Sequence, residues 1–167
     1  MNARDILIEA ANRPRHAAER LRSTLGPDVL NGHPGGHDNS VAWLLWHTGR
    51  EIDVQLAGLS GGDEVWSTRD YAQRTGLGSA GDEVGFGHTS EEARAVRVDD
   101  AEVLYEYLSE TTDALLAYLR TLSDDDLGEV IDENWNPPVT RGARIVSIID
   151  DAAQHIGQAG YAAGALA

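Results

Sequence analysis

The stretch "IIDDAAQHIGQAGYAAG", residues 148–164, sets two patterns against each other. Ile145, Ile148, Ile149, Ala152, Ile156, Ala159 and Ala163 recur at steps of three and four, the spacing of an apolar helical stripe packed against other helices. Asp151 and His155 sit beside that stripe, four residues apart, so the helix turns a carboxylate and an imidazole toward whatever the stripe covers. A carboxylate taken out of water without a partner costs several kcal/mol or more, so a face of this kind calls for a compensating cation.

Working outward, the same feature recurs in "WLLWHTGREID", residues 43–53, where His47 and Glu51 are four apart. They flank a stripe formed by Val41, Leu44, Leu45, Ile52, Leu56 and Leu59. Two more helical patterns complete the set. The first covers 3–25, with Ile6, Leu7, Ala10, Ala17 and Leu21 inward and a kink at Pro14; the other covers 99–122, with Val103, Leu104, Tyr107, Leu108, Leu115 and Leu119 inward. Caps are expected at Asp38, Asn39 or Ser40, at Asp99 or Asp100, at Ser123 and at Thr140. In the connection, short helical stretches are expected over 68–75 and 90–95, the latter with Ser90 at a capped start short of a full capping box. No run alternates as a strand does. The chain therefore reads as all-α, one domain over 1–167, a four-helix bundle whose long connections at 61–98 and 127–140 make non-sequential helices neighbours. A Gly-rich connection as long as 61–98 is uncommon without a purpose, and we expect it to wall or cover a site, with His88 or Trp66 near the reacting centre.

Composition narrows the chemistry. With 167 residues and 41% hydrophobic content the chain is long enough to bury a core, and no apolar run reaches a membrane span. The amino terminus lacks the basic-then-apolar order of a secretory signal, so cytoplasmic residence is expected. The absence of Cys removes disulfides, thiolate ligands and a cysteine nucleophile, leaving His, Asp and Glu to hold any metal. A net charge of −15 argues against nucleic acid and anionic membrane as partners. All positive charge is Arg, and Ala and Gly are abundant, the style of a high-GC genome. No phosphate loop, nucleotide fingerprint or nucleophile elbow is present.

If the helices bearing His47 and Asp151–His155 face one another, their groups converge within reach of one cation. Two imidazoles and one carboxylate leave coordination positions open, as in a catalytic site. The alternative is that the histidines are hydrogen-bonded core residues and that Asp151 and His155 form an i, i+4 ion pair. Arg50 is a candidate partner for an anionic substrate or a surface carboxylate. Glu51 and Gln158 are candidates to orient the two histidines, and His88 lies in the long connection. Trp43, Trp46, Trp66 and Trp135 read as core or pocket wall.

The pieces "NSVAWLLWHTGREID", "GFGHTSEE" and "WNPPVTRGARIVSIIDDAAQHIGQAGYAAG", in that order, resemble the DinB-like, or YfiT-like, superfamily of metal-dependent bacterial proteins. The likeness is greatest to an uncharacterised actinobacterial branch, related more distantly to the metal domain of mycothiol-dependent maleylpyruvate isomerase. The resemblance implies an up-up-down-down bundle, often a homodimer, that binds one divalent ion, zinc or nickel foremost. Carried over by position, the family's first histidine falls on His47 and its carboxylate-x-x-x-His pair on Asp151 and His155, where many relatives have a third His or a Glu in place of Asp151. What it implies for activity is a metal-dependent enzyme acting on a small-molecule substrate, either a hydrolase or an S-transferase that uses a low-molecular-weight thiol such as mycothiol as cosubstrate. A non-catalytic, dimeric metal-binding protein associated with stress is the second reading.

Overall fold

The computed structural model describes residues 2–167. Four long helices dominate it: α1 (Ala3–Leu21), α3 (Val41–Ser60), α7 (Ala101–Thr121) and α9 (Arg141–Leu166). Shorter helices punctuate the connections, namely α2 (Pro27–Leu30), α4 (Val65–Thr68), α5 (Tyr71–Thr75), α6 (Ser90–Ala95) and α8 (Asp124–Gly128). The long helices form a ring in which α1 and α3 each pack against both α7 and α9. No helix among the described residues is long and apolar enough to cross a membrane.

Local chemistry explains the boundaries. The side chains of Ser40, Asp100, Ser123 and Thr140 accept the backbone N–H groups that open α3, α7, α8 and α9, and Gly61 closes α3 in the left-handed conformation that suits glycine. Several expectations need correction. Helix α1 runs through the buried Pro14 but stops at Leu21; one tight turn follows, because Gly26-Pro27 cannot extend a helix. Ile6 is largely exposed; Leu7, Ala17 and Leu21 pack against the core as expected, beside the buried Ala11, Pro14 and Ala18. The 68–75 stretch is two short helices, α4 and α5, followed by a tight turn over Gly78–Asp82. Thr89, one residue earlier than expected, caps α6, and with Glu92 it makes a full capping box. Two short strands, β1 (Val130–Asp132) and β2 (Val139–Thr140), pair antiparallel before α9. Runs of two and three residues are too short to carry a readable alternation. Trp135, between them, is exposed rather than core.

Helix α3 is buried around most of its circumference. From Val41 to Arg50 every residue is buried, His47, Thr48 and Arg50 included. Helices α7 and α9 cover two sides, and the connection over 61–100, from the end of α3 to the start of α7, supplies more of the cover. The approach of α7 is close enough to require a glycine: a β-carbon on Gly49 would lie 2.5 and 2.6 Å from two ring carbons of the buried Tyr107. Replacing Gly49 with Ala is therefore expected to destabilise the fold by about 1–3 kcal/mol through overpacking, even though alanine improves helix propensity by roughly 1 kcal/mol. Urea unfolding checks this, and an unchanged or higher midpoint means that the Tyr107 ring moves aside freely.

Candidate metal centre

The centre is built on facing helices. His47 comes from the middle of α3, and Asp151 and His155 from successive turns of α9, which packs directly on α3. One ligand atom from each of the three lies within 4.8 Å of the others. The two imidazole rings meet edge to face with centroids 4.5 Å apart, and His155 Nε2 stands 3.4 Å from Asp151 Oδ1.

Each ring is oriented by a hydrogen bond at its other nitrogen. His47 Nδ1 is 2.5 Å from the carbonyl oxygen of Val84, which can only accept, so the proton sits on Nδ1 and the Nε2 lone pair is free. His155 Nδ1 is likewise 3.1 Å from the amide oxygen Oε1 of Gln158. A carbonyl or amide oxygen behind a histidine that keeps Nε2 unprotonated is the usual outer partner of a metal-binding imidazole. Asp151 adds an orphan: its Oδ2 is buried and has no hydrogen-bond partner. Two lone pairs and one unsatisfied carboxylate oxygen fit a divalent cation of the type that accepts imidazole and carboxylate donors.

Without a cation the two histidines differ. Burial holds His47 below the usual imidazole range, against the raising effect of the Val84 bond. His155 is pushed up, mainly by its hydrogen bond to Asp151, with burial opposing. Glu51 stands close enough to feel both Asp151 and His155; burial, then the charge of Asp151, raises its carboxyl, and Gln55 donates to it at 2.7 Å.

The remaining candidates fall elsewhere. Arg50 is buried, and of its two expected partners the structure shows a carboxylate, that of the partly exposed Glu64. Arg50 donates to the carbonyls of Glu83 and Asp82 at 3.0 and 2.9 Å, to Glu64 at 2.8 Å and to the Tyr107 hydroxyl at 3.3 Å. His88 has both nitrogens engaged, accepting from Trp43 Nε1 at 3.2 Å and donating to Glu83 at 3.1 Å, and it is outside the ligand cluster. Trp66 is core, donating to Asp82 at 2.7 Å. The connection does reach the centre, but by its backbone: Val84 holds His47, and a β-carbon on Gly85 would come within 2.8–3.1 Å of Trp46, Trp43 and His47. Gly85 also has φ +95°, so a side chain is disfavoured there twice over. Asp53 was missed by sequence reasoning. It is buried and accepts the N–H groups of Val65 and Trp66 and the Tyr107 hydroxyl, each at 2.8 Å. Its only sequence signal was a third charged residue on a helix otherwise rich in apolar positions.

A cavity of about 840 Å³ opens beside His155, lined by Leu44, His37, Asn39, Gln158 and Tyr161 among others. That volume suits a small organic molecule.

The chain is similar to known proteins over most of its length. The family model described as the DinB superfamily matches residues 10–159. Among solved structures, the crystal structure of a conserved protein from Enterococcus faecalis is similar at 35% identity and a TM-score of 0.91, over 99% of this chain and 98% of that one. No curated protein matches the chain.

The two histidines define a pH dependence for divalent-ion binding. Protonated imidazole cannot ligate, and His155 takes up its proton above the ordinary imidazole range while His47 does so below it. As pH falls, zinc or nickel affinity should drop by about tenfold per unit through the His155 transition, then by about a hundredfold per unit once His47 also titrates. Calorimetric titration across pH checks this; an affinity independent of pH through the first transition removes His155 from the ligands.

Proposed function

The chain therefore belongs to the DinB superfamily, and we propose that it is a divalent-metal-dependent enzyme acting on a small molecule, with His47, Asp151 and His155 as the metal ligands. The observation that carries this reading is the convergence of two Nδ1-protonated imidazoles on a half-buried carboxylate whose Oδ2 atom is buried without a partner. A hydrogen-bonded pair of Asp151 with His155 accounts for Oδ1 alone.

A divalent ion in this donor set supplies Lewis acidity and lowers the pKa of a bound water or thiol. The chain's own residues supply the frame. Val84 and Gln158 fix which nitrogen of each histidine is free, and burial of His47 restrains bulk water on the α3 side. The cavity beside His155 admits a reactant. No arginine lines it, and its polar lining is His37, Asn39, Gln154, His155, Gln158 and Tyr161. Glu51, whose carboxyl is raised by burial and then by the charge of Asp151, is placed to accept a proton next to the centre.

The finer reading is an S-transferase using a thiol of the mycothiol type, with hydrolysis as the variant chemistry and zinc or nickel as the ion. The resemblance to the mycothiol-dependent isomerase's metal domain and the donor set support it. The same reading takes the chain as one domain, an up-up-down-down four-helix bundle. The ring of contacts that leaves α1 and α3 without a shared interface supports that arrangement. Homodimerisation follows from the resemblance.

Gently purified protein is expected to carry, or to take up on titration, about one divalent ion per chain, since one cluster supplies the three ligands. His155→Ala should abolish uptake, while Glu51→Ala should keep most of it. Elemental analysis and titration of the three proteins read this out. Metal that cannot be restored to the parent protein overturns the metal reading, and equal losses in the two variants mean that Glu51 is itself a ligand.

A further inference from the structure

Helix α3 grips the connection by consecutive backbone carbonyls. Trp46 Nε1 donates to Gly81 at 3.3 Å, Arg50 Nη2 to Asp82 at 2.9 Å, Arg50 Nε to Glu83 at 3.0 Å and His47 Nδ1 to Val84 at 2.5 Å. Four successive acceptors are held by three residues within two turns of one helix. Arg50 supplies the middle two, and its own place is fixed by Glu64 and the Tyr107 hydroxyl, with its guanidinium 5.1 Å from the Trp66 ring centroid. The planar fork matters here: Nε and Nη2 reach adjacent carbonyls, which the point charge of a lysine cannot do.

We propose that Arg50 is a positioning residue of the metal centre, acting through the Asp82–Val84 backbone to hold the carbonyl that keeps the Nε2 of His47 unprotonated. Arg50 touches neither the ligand atoms nor the cavity, so its effect travels through the ribbon. Without the fork, the backbone carbonyls of the ribbon keep only the long Trp46 bond and the bond from His47 itself; Trp66 still holds the Asp82 side chain at 2.7 Å and His88 that of Glu83 at 3.1 Å, but neither fixes the carbonyl of Val84, which is free to drift. Gly85, packed without a side chain on Trp43, Trp46 and His47, lets the ribbon lie this close. Because coupling is reciprocal, an ion bound to His47 also tightens the ribbon, through a more acidic Nδ1–H. The inference rests on the metal reading for this second half alone; the link from Arg50 to the tautomer of His47 exists without metal.

The test compares the parent protein with Arg50→Lys by zinc titration, by imidazole nitrogen NMR of the metal-free proteins and by amide hydrogen exchange over 78–88. In the parent, zinc should slow exchange in that segment, and metal-free His47 should show the Nδ1–H form. In Arg50→Lys, zinc affinity should fall by about tenfold or more, metal-free His47 should mix the two tautomers, and zinc should no longer slow the exchange. A lower melting midpoint with zinc affinity and tautomer both unchanged makes Arg50 merely structural and overturns the proposal. If Arg50→Lys does not fold, Glu64→Gln, which weakens the hold on Arg50 from a partly exposed position, reads the same quantities. A fall of about threefold in affinity with tautomer mixing supports the proposal, and no change overturns it. If the parent binds no zinc, the metal reading fails, and the metal-free tautomer of His47 alone then upholds or overturns the role of Arg50.

Discussion

A helix buried on most of its surface must find a partner for every polar group it carries, and α3 carries three ionisable ones that cannot reach water. His47, Arg50 and Asp53 are each nearly inaccessible. Leaving any of them unpaired costs several kcal/mol, more for the charged pair. Their partners are mostly not side chains. His47 and Arg50 take carbonyls from Asp82, Glu83 and Val84, and Asp53 takes the amides of Val65 and Trp66. The long connection between α3 and α7 is therefore tied to the helix at both its start and its middle. Tyr107 on α7 closes the arrangement, donating to Asp53 while it accepts from Arg50.

This constraint also explains the division of labour at the candidate centre. The α9 side presents Asp151 and His155 at a half-buried edge next to the cavity, where a ligand can arrive. The α3 side presents His47 from the interior, clamped by backbone and packed on the Trp43 ring at 4.5 Å between centroids. A partly exposed ligand faces the cavity and a fully enclosed one faces the core. That asymmetry suits a centre whose open positions lie on one side, because the fixed histidine sets where the ion sits and the opposite face is left to reactant.

Much of this was legible in the sequence, and the boundary has a physical cause. Periodicity revealed the four long helices because each buries a stripe, and side-chain caps at Ser40, Asp100, Ser123 and Thr140 could be read from residue type. His47, Asp151 and His155 stood out because charge beside an apolar stripe is expensive. Asp53 did not, and Arg50 was read only as a partner for an anionic substrate or a surface carboxylate, although both are more deeply buried than Asp151. Their partners are backbone groups in the following connection, and a backbone carbonyl has no letter. The same blindness hid the role of Val84, and it made His88 and Trp66 seem closer to the chemistry than they are, since only their side chains could be read.

The choice between a metal centre and a purely structural cluster turns on what each leaves unsatisfied. In the structural account, His155 is protonated and paired with Asp151, which the raised imidazole favours. That account must then place a second imidazole, held neutral by burial, edge-on to the first with its lone pair free. It must also leave Asp151 Oδ2 buried without a donor, in a neighbourhood that already includes Glu51. Buried acceptors without donors are rare, and Asp151 Oδ2 is one, on one of three side chains that converge here with only the proton of one histidine among them. A divalent cation satisfies all three at once, and it offsets the repulsion between Asp151 and Glu51 that one protonated histidine offsets only in part.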